Sequence, residues 1–202
     1  MNLTARSAVV FVLSFYYESQ YIVNPPQGRK RSQRLSYLMY IQKAKIIDLK
    51  TIISWVSNKQ ACKMWAGPCV SFPLRIEKLS KDIEFSGDNS YCYKNDGSIF
   101  AFGQLLTKEN GWLHLARIIV DPAKRGKGYG KLLCVELIQI AIKKGYQKIS
   151  LNVYRNNVRA FKLYTNLGFR EVAELSSEEN CHMVNPYSGS AVDSPSEAAY
   201  KS

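Results

Sequence analysis

Apolar and polar residues alternate over Met39–Lys43, a two-residue period that predicts a short strand. The period then lengthens. Leu49, Ile52, Ile53 and Val56 recur at helical spacing, with Asp48 as the expected N-cap. A second helical stretch, Lys59–Trp65, stops at Gly67-Pro68, and Pro73 opens a third whose Leu74, Leu79 and Ile83 form one apolar stripe. Tyr91–Asn95 and Ser98–Thr107 flank Asp96-Gly97, the signal for a type I′ hairpin turn. The run WLHLARIIV follows Asn110-Gly111 as the next strand, so these pieces form an antiparallel meander.

After residue 121 the pattern changes again. A glycine-rich loop, Pro122 to Gly130, leads into the helical run KLLCVELIQIAIKKG, whose Leu132, Leu133, Val135, Leu137, Ile138 and Ile142 are expected to bury one side, with Gly145 the C-cap. Lys148–Val153 reads as a strand, Asn156 or Asn157 caps a helix through Leu167, Gly168 ends it, and Phe169–Glu174 starts another strand. A meander followed by strand–helix–strand units implies an α/β (α+β) domain with a mixed sheet.

The predicted domain spans residues 39–184. Residues 1–38 are expected to be an extension, flexible or basic. Their Ala8–Tyr17 run has the length of a signal-peptide core, but no small-residue cleavage pattern follows it, and Arg29–Arg34 reads as a solvated basic linker. Residues 185–202, rich in Ser, Ala and Pro without periodicity, are expected to be a disordered tail. Across the 202 residues no apolar run reaches the ~18–20 residues of a membrane-spanning helix.

The net charge of +12 points to an anionic ligand, a nucleic acid or an acidic membrane surface. Only +4 of it lies in residues 1–38, and +9 falls on residues 39–184. The five cysteines have no zinc-knuckle spacing and only His114 and His182 could supply imidazoles, so no metal site is expected. Unpaired thiols suit a cytoplasmic protein.

The loop carries the most chemistry. Glycines at alternate positions in Arg125-Gly126-Lys127-Gly128-Tyr129-Gly130-Lys131 let consecutive N–H groups face one point, where the positive end of the following helix adds to them. Such a point binds phosphate, and Arg125, Lys127 and Lys131 bring charge to it. It is not a Walker loop, because Lys131 is followed by Leu132, and GxGxG is not the GxGxxG of a dinucleotide fold.

Together, RIIVDPAKRGKGYGKLL and NVRAFKLYTNLGF resemble the acetyl-CoA-binding half of the GNAT superfamily of N-acetyltransferases. One signature, Gln or Arg then x-x-Gly-x-Gly, falls on Arg125, Gly128 and Gly130. The other falls on Asn157, Ala160, Tyr164, Gly168 and Phe169. The resemblance covers roughly Met39 to Glu174. It implies a mixed, mostly antiparallel sheet whose fourth and fifth strands splay like a V, with helices on both faces. It also implies that the backbone of Ile118, Ile119 and Val120 pairs with the pantetheine arm of acetyl-CoA. Gly126, Lys127, Gly128, Tyr129, Gly130 and Lys131 would hold the pyrophosphate through main-chain N–H groups, Asn157 would hydrogen-bond the cofactor, and Tyr164 would reach its sulfur.

The implied reaction is transfer of an acetyl group to a primary amine, whether a protein N-terminus, a lysine or a small molecule, by direct attack in a ternary complex. The amine must lose a proton before it attacks. Ribosomal-protein acetyltransferases of this superfamily carry a glutamate where this chain has Asn152, which cannot act as a base. Spacing in histone-type relatives lands on His114, whose imidazole suits the task, with water as the competitor. Tyr164 is the expected donor to the leaving thiolate. Arg117 points either to the substrate side or to solvent, and Trp65–Pro68 with Phe72-Pro73 either line the acceptor pocket or pack the core. Two other readings stay open: an inactive acyl-CoA sensor, which Asn152 allows, and a nucleic-acid-binding protein, which no RNA-binding or zinc-finger signature supports. A monomer or a homodimer is expected.

Overall fold

The computed structural model describes residues 40–95, 98–108 and 111–186. Within them seven strands form one sheet: β1 (Tyr40–Lys43), β2 (Ser90–Asn95), β3 (Ser98–Thr107), β4 (Leu113–Val120), β5 (Lys148–Tyr154), β6 (Arg170–Glu171) and β7 (Asn180–Pro186). Their spatial order is β1-β2-β3-β4-β5-β7-β6, and only β4 and β5 run parallel. The helices are α1 (Asp48–Ser54), α2 (Lys59–Ala66), α3 (Ile76–Asp82), α4 (Tyr129–Lys143) and α5 (Val158–Asn166).

Alternation along the strands divides the core. Leu113, Leu115, Ile149, Leu151, Val153, Cys181 and Met183 pack with Leu133, Leu137 and Ile138 of α4 and with Tyr164 of α5. Cys92, Phe102 and Ile119 face the other way, under α1, α2 and α3. The expected mixed, mostly antiparallel sheet with helices on both faces is what the chain forms.

Two irregularities shape the middle of the sheet. β4 and β5 pair only at Leu113 with Ile149 and His114 with Ser150, although both strands continue for several residues beyond, so they part as a V. On the other side of β4, Gln104 faces Ala116 and Phe102 faces Ile119, which leaves Gly103 opposite both Arg117 and Ile118. This β-bulge moves Ile118 and Val120 onto the α4 face that Leu113 and Leu115 already occupy. A Cβ on Gly103 would stand 2.5 Å from Ile118 Cδ1 and 2.9 Å from Leu137 Cδ1, so any larger residue there would force the ends of these two side chains to shift.

Several local expectations change. Asp48 lies inside α1 rather than capping it, because its carboxylate instead accepts the Lys45 N–H and pairs with Lys94 at 3.2 Å. Pro73 precedes α3, which starts at Ile76. The strand expected over Phe169–Glu174 is only Arg170–Glu171, followed by a 3₁₀ turn at Ala173–Leu175. β7 extends through Asn185 and Pro186, the first two residues of the expected tail. Buried Asn185 donates to the carbonyl of Leu167 at 2.9 Å and so terminates α5, a tertiary role that composition cannot reveal. The Asp96-Gly97 turn, Asn110, residues 1–38 and most of the expected tail lie outside the described residues.

Candidate active site

Where β4 ends, Asp121 accepts the Ala123 N–H at 2.9 Å and starts a 3₁₀ turn over Pro122–Lys124. Gly126 (φ +83°) and Gly128 (φ +87°) then take left-handed conformations, which other residues adopt only with strain. Gly128 is the N-cap of α4 and provides no side-chain acceptor; the first intrahelical bond comes from Leu132 to its carbonyl at 3.0 Å. The N–H groups of the first turn therefore precede the helix's own acceptors and carry its positive end.

Arg125, Lys127 and Lys131 are exposed around this turn. Sequence reasoning missed a fourth cation: a Cβ on Gly126 would lie 3.5 Å from Nη2 of Arg159, which α5 brings to the loop. The residue stands inside the Asn157-to-Ala160 signature, but only the approach of α5 shows which way it faces. Tyr129 departs from the rest of the segment, because its ring packs on Phe100 at 5.0 Å and Tyr93 at 6.3 Å, leaving only its main chain to the loop.

Asn157 lies just beyond β5, where Oδ1 accepts the Ala160 N–H at 3.2 Å and caps α5. Its side-chain NH₂ remains as the donor for a ligand. Two turns later Tyr164 is buried, edge-on to Phe169 at 6.0 Å. Burial, with a smaller contribution from Cys134, raises its phenol pKa, so the group stays protonated as a donor.

On β4 the bulge is held from outside the sheet. Arg117 has φ +53°, and its carbonyl accepts the Trp65 indole N–H at 2.8 Å. Its guanidinium turns inward and donates to Gln104 Oε1 at 2.9 Å, while Gln104 Nε2 donates to Ser90 Oγ and to the Ile83 carbonyl. Trp65 also meets Phe102 edge-on at 6.4 Å, so α2 both packs the core and fixes the strand irregularity.

His114 sits where the V closes, with Nδ1 2.9 Å from Ser150 Oγ. Burial foremost, then Lys108, His182 and Arg117, pushes its pKa down to about 3. The expectation of an imidazole near its ordinary value therefore does not hold: His114 is neutral but only weakly basic. A second imidazole, which the sequence pattern did not single out, lies parallel to it at 6.4 Å. This is His182 on β7, whose Nδ1 is 2.8 Å from Oδ1 of Asn152 on β5.

Residues 59–169, more than half of the chain, match the family model described as the acetyltransferase (GNAT) family. The chain belongs to the GNAT family. Among curated relatives, this GNAT protein is 37% identical over 68 residues to a spermine/spermidine N(1)-acetyltransferase of Bacillus subtilis, an alignment covering 33% of this chain and 45% of the relative. The chain thus spans less than half the length of that relative. Among solved structures, the paiA N-acetyltransferase of Thermoplasma acidophilum in complex with coenzyme A superposes with TM-score 0.59 at 25% identity, over 74% of this chain and 99% of that one. The spermidine N-acetyltransferase of Vibrio cholerae, solved with CoA and spermine, superposes with TM-score 0.62 at 17% identity, over 74% and 96% of the two chains, and shows the shared fold.

Among the described residues of this GNAT chain, no group of three His, Cys, Asp or Glu stands where it could hold a metal ion. None of its described helices is long and apolar enough to cross a membrane.

Proposed function

We propose that this chain transfers the acetyl group of acetyl-CoA to a primary amine by direct attack within a ternary complex. The observation that carries this reading is the glycine loop at the mouth of the V. Two left-handed glycines lead into a 15-residue helix whose first N–H groups no side chain caps, Arg125, Lys127 and Lys131 lie in this segment, and Arg159 reaches it at Gly126. That arrangement suits a pyrophosphate. Ile118, Ile119 and Val120, past the point where β4 leaves β5, would pair with the pantetheine amides as an added strand. A backbone N–H at the bulge, near Ile118 or Ile119, would stabilise the oxyanion, and Asn157 would bind through its NH₂.

Tyr164 acts in this scheme as the donor to the departing thiolate. The acceptor is a small amine such as a polyamine, a lysine or a protein N-terminus; the polyamine reading draws on the spermine/spermidine relative. The cytoplasm is the proposed location, supported by five cysteines that form no disulfide. The fold is compatible with either a monomer or a homodimer.

Thiol release from acetyl-CoA, measured with spermidine, an alanine-initiated peptide, a lysine peptide and glucosamine 6-phosphate, tests the reading, alongside calorimetry with CoA. Binding and turnover with at least one amine are expected. Binding without turnover on a broad amine panel would favour the acyl-CoA sensor, for which the substitution of glutamate by Asn152 and the low basicity of His114 speak. No heat with either CoA or acetyl-CoA would overturn both readings.

A further inference from the structure

We propose that His182 takes the proton from the acceptor ammonium and that Asn152 positions it, so that a pair on β5 and β7 replaces the missing strand carboxylate. The inference rests on the acetyltransferase reading and adds a catalytic group to it. Leu151, Val153, Cys181 and Met183 point toward α4 and α5, so Asn152 and His182 project from the opposite face, the side on which α2 lies. Asn152 is two residues past the last β4–β5 pair, on the β5 side of the V, and faces His182 directly in register.

The contact defines the tautomer. Asn152 Oδ1 can only accept, so the 2.8 Å contact places the proton on His182 Nδ1 and leaves the lone pair on Nε2. The backbone is held as well: the His182 N–H donates to Ser176 Oγ at 2.9 Å, and its carbonyl accepts from Val172 at 2.9 Å. Nε2 is buried and has no hydrogen-bond partner among the described residues. A buried lone pair without a partner is rare in folded chains, and a donor that the chain does not supply would account for it.

Other candidates are engaged elsewhere. Glu171 is bound to Arg155 at 2.7 Å and Glu179 to Lys63 at 3.1 Å. Burial foremost pushes the His114 pKa down to about 3, and Asn152 has no basic lone pair. The charged or titratable groups that act on His182 are Lys108, which lowers its pKa after burial, and the neutral ring of His114 on β4. His182, like His114, is therefore an uncharged imidazole at neutral pH, and burial foremost lowers its pKa as well.

In the step, an N–H bond of the ammonium breaks and its electron pair stays on nitrogen. The proton passes to Nε2 of His182, the atom that the described residues leave without a partner. Nitrogen then bonds to the thioester carbon and the C–S bond breaks. The thiolate takes a proton from Tyr164, whose phenolate recovers one from the new amide nitrogen. The amide keeps the third ammonium proton, and the imidazolium, its Nδ1–H still held by Asn152, releases its extra proton to solvent.

The test uses the full chain with the best amine of the panel above. His182→Gln should lower kcat about 100-fold or more at pH 7, with CoA affinity by calorimetry unchanged, and the deficit should shrink toward pH 10, where the amine is already free. His182→Ala should regain activity with added imidazole. Asn152→Asp should retain turnover and shift the acid limb of the pH–rate profile upward, because the anion favours imidazolium, whereas Asn152→Leu should lose turnover. Nitrogen NMR of the resting protein should show His182 protonated at Nδ1 and bare at Nε2. A His182→Gln enzyme with the parent pH–rate profile, or an Nε2–H tautomer by NMR, overturns the inference while leaving the transferase standing. A parent protein that binds CoA but acetylates no amine overturns the transferase and this step with it.

Discussion

The indole N–H of Trp65 on α2 donates to the carbonyl of Arg117, the left-handed residue at the β4 bulge, across 2.8 Å. One helix on the α1–α3 side of the sheet is thereby tied to the backbone whose next residues, Ile118 to Val120, form one arm of the V. Trp65→Phe keeps the edge-on packing against Phe102 but removes the donor. The loss of one such bond should cost about 0.5–1.5 kcal/mol in urea unfolding. It should also lower kcat/KM for acetyl transfer, because the bulge sets the register of Ile118 to Val120. Lost stability with unchanged kcat/KM would reduce the bond to a packing role.

The loop glycines should separate by conformation. Gly128 is left-handed, so Gly128→Ala carries roughly 1–2 kcal/mol of backbone strain and should weaken CoA binding by about 10-fold or more. Gly130 is helical, and an added Cβ there would meet only Val120 Cγ2 at 3.4 Å and Leu163 Cδ2 at 3.9 Å. Gly130→Ala should therefore fold at least as stably as the parent, since alanine favours a helix by up to ~1 kcal/mol. A drop in its CoA affinity by calorimetry would then report close approach of the pyrophosphate to the main chain. Equal CoA affinity in the parent and both variants would remove the loop from the binding site.

Tyr164→Phe retains the ring against Phe169 and removes the hydroxyl. A fall in kcat of about 10–100-fold or more is expected, with CoA affinity preserved. The raised phenol pKa means that ionisation of Tyr164 should not limit the rate on the alkaline side of the working range. Full activity in the variant would assign thiol protonation to solvent.

His114 makes stability depend on pH with a definite sign. Its folded pKa of about 3 lies below the ordinary value of 6.5, so between them the unfolded chain binds a proton that the folded chain does not. Its contribution is flat above pH 6.5 and erodes stability as pH falls toward 3, by at most about 1.4 kcal/mol per pH unit. Urea midpoints measured from pH 7.5 to 4.5 should decline less steeply in His114→Gln than in the parent. Parallel declines would mean that the imidazole is hydrated in the native state.

Features that local chemistry dictates are legible along the chain. Period-two and period-3.6 runs locate most strands and helices. The RGKGYGK segment requires a turn that only alternate glycines can make before a helix, and Asn157 caps α5 by accepting the N–H of Ala160 three residues on. Tertiary structure decided whatever depends on what lies across the sheet. Tyr129 belongs to the core because Phe100 and Tyr93 stand beside it, and Arg159 belongs to the loop because α5 docks there. Asn185 leaves the tail because the end of α5 needs a donor. His114 and His182 are separated by 68 positions in the chain and by 6.4 Å in space. Burial lowers the pKa of both, that of the first to about 3, while the amide of Asn152 on the neighbouring strand contacts the second, and residue type and spacing encode none of this.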